Sequence, residues 1–302
     1  MSFKLKNSKF DKTKNRYPIA RVIGGKDDKK YLYFYQDKKL HIDDLKPEFL
    51  ASLNLSQEDK NLLNTALQEK LEPEEDRLDA IYYKILEEFG KKKERFILRG
   101  GGKLQVLPDF SRIEKLYICG ISGSGKSTFS ARWIKEYLRK YRTNEFYILS
   151  SIDEDEVLDK NLDPIRVDVD NLEDNPLDFE EINNSIVLFD DCATISSAKT
   201  RKMCLGLLDH LLECGRHFNT TVINTSHVIM DYRNSRKILN EATSVVIFPK
   251  AGSNVQNINY MTNYCGFNTV QINKILNLPS RWVLIRRTFP QMIIHEKGSY
   301  LI

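Results

Sequence analysis

Leu116-Tyr117-Ile118-Cys119-Gly120-Ile121-Ser122-Gly123-Ser124-Gly125-Lys126-Ser127-Thr128 decides how the rest of the chain is read. Its first four residues are mostly apolar and read as a buried strand. The glycines read as a tight turn, and Phe129, Trp133, Ile134, Tyr137 and Leu138 as the apolar stripe of a helix that follows at once. From Gly120 to Ser127 the residues fit G-x-x-x-x-G-K-[ST], a phosphate-binding loop. Backbone N–H groups wrap a phosphate only where the turn is tight and no Cβ blocks the approach. The helix behind it aims its N-terminal N–H groups and the positive end of its dipole at the same anion. Lys126 is then expected to reach the β- and γ-phosphates of ATP, and the Ser127 hydroxyl to ligate Mg²⁺, with Gly120 through Thr128 as the nucleotide-binding residues. A glycine-rich turn that binds nothing is the plainer reading, and the flanking strand and helix argue against it.

Ile186-Val187-Leu188-Phe189-Asp190-Asp191 is the second signal. Four apolar residues ending in acid describe a buried strand that delivers a carboxylate to its C-terminal edge, where open α/β sheets bind ligands. Asp190 is expected to hold Mg²⁺ through its water shell and Asp191 to orient or deprotonate the attacking water, in a place where many phosphate-loop enzymes carry the longer Glu; a strand followed by a plain acidic turn is the alternative. Further on, Glu213-Cys214-Gly215-Arg216-His217 ends a helical stretch. Arg216 reads either as an arginine finger for a neighbouring subunit's γ-phosphate or as a cation suited to a helix C-terminus. His217 reads as structural. Asn224-Thr225-Ser226-His227 ends the next strand, and His227 is the first candidate there to sense the γ-phosphate, Asn224 the second; a helix cap is the alternative.

A chain of 302 residues has room for one large domain with a smaller one. Its 41% hydrophobic and 29% charged residues are those of a soluble globular protein. The slight excess of 46 basic over 42 acidic residues permits a polyanionic partner without demanding one. The five cysteines form no CxxC pair and are odd in number, which fits small core residues in a reducing compartment better than a disulfide framework or a zinc site. The N-terminus lacks the apolar segment of a signal peptide, and no apolar run reaches membrane-spanning length. An intracellular protein without a membrane partner is expected.

The first 15 or so residues are lysine-rich and read as a loose arm. Ile19–Ile23 and Tyr31–Tyr35 around Gly24-Gly25-Lys26-Asp27-Asp28 read as one hairpin, and Phe96-Ile97-Leu98 with Leu104–Leu107 around Gly100-Gly101-Gly102 as a second. Between them, Ser56 to Phe89 reads as helix in two pieces broken near Pro73, with Ser56 as N-cap. Residues 1–110 are thus expected to be an accessory α+β region without recognisable catalytic chemistry, and residues 111–302 the phosphate-loop domain. In the latter, strands at Phe146–Leu149, Ile165–Val169, Ile186–Phe189, Thr221–Thr225 and Ser244–Phe248 alternate with helices, which argues for a mostly parallel sheet covered on both faces. Helices near Ala198–Cys214, Val255–Tyr264 and Thr269–Leu276 and a last hairpin, Trp282–Arg286 with Met292–His295, complete it.

Phosphate loop, acidic strand end, Gly-Arg-His segment and polar strand end stand in an order that resembles the FtsK–HerA superfamily of DNA-pumping ATPases. Within it the chain looks most like the poxvirus-type genome-packaging ATPases of large DNA viruses and virophages. Gly120–Thr128 matches the first motif, Ile186–Asp191 the second, Gly215-Arg216-His217 a short segment of the viral branch, and Thr225-Ser226-His227 the place where the superfamily commonly has Thr-Gln. The resemblance covers roughly residues 112–250. It implies a RecA-like fold, assembly into a homo-oligomeric ring (hexamer or pentamer), and ATP-driven translocation of double-stranded DNA into a preformed capsid. A capsid portal or packaging nuclease as partner, and a place in the virion or in viral factories of the host cytoplasm, go with it. Such a pump needs to grip phosphates rather than read bases; Lys199, Arg201, Lys202, Arg233, Arg236 and Lys237 are the basic candidates, with solvated helix faces as the alternative. Two other functions fit the loop alone: a nucleotide or small-molecule kinase, and a nucleotide-gated assembly protein that pumps nothing.

Overall fold

Ile186–Phe189 has no side chain that prefers water, and in the computed structural model all four are fully buried in the middle of a sheet. The structure describes residues 2–35, 47–69, 77–78, 80–82, 84–85, 88, 94–172, 174–231, 235–252 and 254–302. Their strands are β1 (Ser2–Lys6), β2 (Ala20–Ile23), β3 (Tyr31–Tyr35), β4 (Arg95–Ile97), β5 (Lys103–Val106), β6 (Lys115–Cys119) and β7 (Phe146–Ser150). They continue with β8 (Ile165–Arg166), β9 (Ile186–Asp190), β10 (Thr221–Ser226), β11 (Ser244–Ile247), β12 (Val283–Arg286), β13 (Met292–His295) and β14 (Gly298–Leu301). The chain divides into two units, Met1–Lys4 with Tyr33–Phe96, and Leu5–Leu32 with Ile97–Ile302.

The larger unit carries a mixed α/β fold around a large, mostly parallel sheet in the order β14-β13-β12-β11-β6-β10-β9-β7-β8. Strands β6 to β11 run parallel, and β12 to β14 add an antiparallel edge. One strand, β10, separates the phosphate-loop strand β6 from the acidic strand β9, in register Asn224 with Tyr117 on one side and with Phe189 on the other. Helix Lys126–Lys140 buries Phe129, Trp133, Ile134 and Tyr137, one stripe at helical spacing. Helix Ala198–Cys214 buries Cys204, Leu208, Leu211 and Leu212 and is capped by Ser197, whose side chain accepts from Thr200 N. Each such Leu or Ile contributes about 1.5–3 kcal/mol of burial free energy, which is what fixes both helices to the sheet.

At the N-terminal edge of β6, Glu114 is fully desolvated. Its carboxylate accepts from Asp109 N at 2.9 Å and Ser244 Oγ at 3.0 Å, with Arg286 Nη2 3.9 Å away. Burial pushes its pKa up, and Arg286 pulls it part of the way back.

The first expected hairpin forms, with Ala20 opposite Leu32 and Arg21 opposite Tyr31. The second does not: β5 pairs antiparallel with β2 instead, and Leu98 N donates to Lys297 O. The reason is the packing of two glycine turns. A Cβ on Gly102 would lie 2.2 Å from Gly24 O, so Gly24-Gly25 and Gly100-Gly101-Gly102 approach backbone to backbone. The expected loose arm is also corrected: residues 2–6 form β1, and Asp11 is buried, accepting from Lys6 Nζ, Thr13 N and Thr13 Oγ1. The terminal hairpin forms as β12 and β13, and β14 extends it.

In the smaller unit, helix Gln57–Glu69 begins at Ser56, whose Oγ accepts from Asp59 N at 3.1 Å. Leu53, Leu55, Leu63, Ile81 and Ile85 form its apolar cluster. The expected break near Pro73 lies outside the described residues.

Candidate nucleotide site

The phosphate loop leaves the C-terminal end of β6, and Gly120 N donates to Ser226 O at the matching end of β10. Gly123 and Gly125 have φ of 73° and 110°, in the region that excludes ordinary L side chains. Gly120 is required by contact instead: a Cβ there would lie 2.6 Å from Ser124 Oγ and 2.7 Å from the Phe248 ring. Ser124 Oγ is buried without a hydrogen-bond partner, and helix Lys126–Lys140 has neither a side-chain cap nor an acidic residue in its first turn. The loop therefore ends in uncompensated donors, the arrangement an anion completes.

Lys126 Nζ donates to Gly120 O at 3.0 Å and lies 3.3 Å from Asp191 Oδ2 and 3.4 Å from His227 Nδ1. His227 Nε2 lies 3.1 Å from the same Asp191 oxygen. Hydrogen on Nε2 satisfies both imidazole contacts, donating to Asp191 and accepting from Lys126. Three residues expected from separate motifs thus form one closed triangle.

Asp190 and Asp191 are joined to β10 by one hydroxyl. Thr225 Oγ1 donates to Asp190 Oδ1 at 2.7 Å and accepts from Asp191 N at 3.0 Å. Asp191 has φ of 47°, a left-handed conformation that costs a non-glycine residue of order 1 kcal/mol. Thr225 holds its N–H, and Thr194 N and Oγ1 hold its carbonyl at 2.9 and 2.7 Å. The turn aims the carboxylate back at Lys126 and leaves Asp191 Oδ1 buried without a partner.

Asp190 is 8% exposed. Burial raises its pKa, Asp191 and Asp155 add to the rise, and the Thr225 hydrogen bond and Lys126 oppose it. A carboxylate crowded by acids and an orphaned carboxylate oxygen fit a hard divalent cation, and Ser127 in the first turn of the helix is the hydroxyl expected to join them. Among the described residues no group of three or more His, Cys, Asp or Glu is arranged to hold a metal ion.

Arg216 does not join this cluster. It is exposed in the turn before β10, where Thr220 N donates to Gly215 O, at the N-terminal edge of the sheet. The six residues of β10, roughly 20 Å of strand, separate it from the loop. Asn224 is buried within β10 and makes no hydrogen bond to Lys126, Asp191 or His227. Of the basic candidates, Arg201 donates to Ile195 O at 2.5 Å, and Lys237 pairs with Glu213 at 2.9 Å and Asp209 at 3.5 Å. Lys199, Lys202 and Arg236 are exposed, and Arg233 lies outside the described residues. Among the described residues no helix is long and apolar enough to cross a membrane.

Two residues near the loop lie in no motif, and one residue within a motif has a role that its motif does not state. The Thr225 bridge is invisible until β9 and β10 are known to be neighbours. Phe248 and Arg281, which approach Gly120 and Gly125, follow the loop by more than 120 residues and belong to no motif.

No family model matches the chain. It is 35% identical over 218 residues to the uncharacterized protein V3 of Sputnik virophage, covering 71% of this chain and 87% of that one. Among solved structures it is similar to the genome packaging NTPase B204 of Sulfolobus turreted icosahedral virus 2, at 12% identity and a TM-score of 0.44, over 61% of this chain and 96% of that one. It is also similar to the pCW3 conjugation coupling protein TcpA, at 12% identity and a TM-score of 0.45, over 68% of this chain and 66% of that one.

Proposed function

The chain belongs to one family with protein V3 of Sputnik virophage, and we propose that it is a motor of the FtsK–HerA superfamily that its motifs resemble, hydrolysing ATP to move double-stranded DNA into a viral capsid. The observation that carries the reading is the triangle of Lys126, Asp191 and His227, all within 3.4 Å of one another at the C-terminal edge of the parallel strands. A kinase needs an acceptor subsite beside its loop. Here the groups that touch Lys126 are a carboxylate and an imidazole, which suit the activation of a water molecule.

ATP binds with its phosphates in the Gly120–Thr128 loop. Ser127 and Asp190 would hold Mg²⁺, which would supply positive charge to neutralise the phosphates. Lys126 turns from Asp191 to the phosphates, which frees the Asp191 carboxylate to orient a water and accept its proton. His227, in contact with both, registers whether the γ-phosphate is present and passes that to β10. Arg216, at the other edge of the sheet, completes only a neighbouring subunit's site, which requires a ring.

The test is ATP hydrolysis with and without double-stranded DNA, paired with a mass measurement. DNA-stimulated release of free phosphate by an oligomer supports the motor. A protein that stays monomeric with ATP and DNA and hydrolyses at an unchanged rate overturns it, and a phosphorylated acceptor in place of free phosphate makes it a kinase.

A further inference from the structure

Lys126 is not the sole cation at the phosphate loop. A Cβ built on Gly125, the residue that opens helix Lys126–Lys140, would lie 3.6 Å from Arg281 Nη2. Arg281 precedes β12, and its backbone is firmly held. Its N–H donates to Glu296 Oε2 at 2.9 Å, and Glu296 N donates to Ser280 Oγ at 3.0 Å. The next residue, Trp282, packs edge-on against Phe129 of the helix at 5.2 Å. The guanidinium itself is exposed and makes no hydrogen bond or ion pair with a described residue. Glu296 is the acid within reach, and its carboxylate is taken by Lys103 Nζ at 3.0 Å and by the Arg281 backbone.

This placement runs against the helix. Its N-terminus carries the positive end of the dipole, no acidic residue in the first turn and no side-chain cap, and a cation there is unfavourable. Lys126 meets the same field but is compensated by Asp191. Arg281 feels only the charge of Glu296, whose carboxylate bonds Lys103 and not the guanidinium, so its own hydrogen-bonding capacity is open to an anion at the loop.

We propose that Arg281 is a phosphate-binding residue in cis: its guanidinium hydrogen-bonds the phosphate chain of the nucleotide held by its own chain's loop. The inference rests on the nucleotide-binding reading above and assigns to it a residue that no motif contains. Arg281 and Arg216 then divide the work, the first binding phosphate within the chain, the second acting from a neighbour. Guanidinium suits the role because it bonds phosphate oxygens bidentately and stays charged.

The experiment is calorimetric titration of the full chain with Mg-ADP and with Mg-pyrophosphate, for the native protein, Arg281→Ala, Arg281→Lys and Lys126→Ala, with a melting curve of each without ligand. Loss of one charge-assisted hydrogen bond predicts roughly tenfold to hundredfold weaker binding of both ligands by Arg281→Ala, a smaller loss for Arg281→Lys, and no fall in the ligand-free melting temperature. Binding by Arg281→Ala within twofold of the native protein overturns the proposal. So does weakening confined to ADP, which would make Arg281 a nucleoside contact, or a lowered ligand-free melting temperature in both Arg281 variants, which would make it structural. If the native protein binds neither ligand, it is the nucleotide reading itself that fails.

Discussion

Lys126 Nζ stands 3.3 Å from Asp191 Oδ2, an ion pair between the phosphate loop and the end of the acidic strand, with His227 Nε2 3.1 Å from the same oxygen. The amine that would hold phosphate and the carboxylate that would handle water are thus paired with each other. Asp191→Asn removes the base and the ion pair while keeping the side-chain shape. Mg-ATP affinity should be equal or tighter, since Lys126 is no longer held, while single-turnover hydrolysis falls by roughly 10²–10⁴-fold. Turnover within a few-fold of the native rate would remove Asp191 from catalysis.

His227 contacts both members of that pair. His227→Ala should leave Mg-ADP binding within a few-fold and lower DNA-stimulated hydrolysis by about tenfold or more. A rate that still rises with DNA as in the native protein would show that His227 does not couple the two.

Asp190 gives a prediction with a sign. Its pKa is raised by burial first, then by Asp191 and Asp155. The folded protein therefore binds this proton more readily than the unfolded chain, and the contribution of Asp190 to stability falls as pH rises from the unfolded value of about 3.9 through the raised folded one. Asp190→Asn keeps the acceptor for Thr225 Oγ1 and removes the charge. Its ligand-free melting temperature at pH 7 should equal or exceed that of the native protein, while stabilisation by Mg-ATP over ATP without Mg²⁺ disappears. A clear drop in the ligand-free melting temperature would contradict the assignment of Asp190 as a charge kept for a cation.

Arg216 lies roughly 20 Å of strand from its own loop. Arg216→Ala should bind Mg-ADP as the native chain does, and its defect in hydrolysis should be restored in mixed rings by subunits with an intact Arg216 and a Lys126→Ala loop. Absence of rescue at every mixing ratio would leave Arg216 as a helix-terminal cation.

The two packed glycine turns offer a test of the fold. Gly102→Ala puts a Cβ 2.2 Å from Gly24 O at a φ of 75°, so strain and overpacking add. Denaturant unfolding should show a loss of at least about 2 kcal/mol. A loss below about 0.5 kcal/mol would mean that the turns part easily.

The local elements were legible because each has its own periodicity. Helix Ala198–Cys214 and helix Thr269–Leu276 fall where the sequence put them, and the structure adds their caps, Ser197 at the first and a capping box of Asn268 with Gln271 at the second. The paired strands at residues 20–23 and 31–32 and the last hairpin were likewise readable from apolar runs around turn residues. The second hairpin was misread because Gly100-Gly101-Gly102 is a turn signal that does not name the partner of the strand after it. Close approach of two glycine backbones decided that.

By itself, the sequence determined the loop, the acids and the strand that ends just before His227, since a glycine-rich turn, an apolar run closed by acid and a polar strand end are local patterns. Tertiary structure decided which of them meet. Buried parallel strands look alike in apolar content, so no short segment says that β10 lies between β6 and β9. That insertion brings Thr225 between two aspartates and His227 to Lys126, and it leaves Arg216 at the far edge. Arg281 reaches Gly125 by the antiparallel edge of the same sheet, through a contact between residues 156 positions apart that no periodicity encodes.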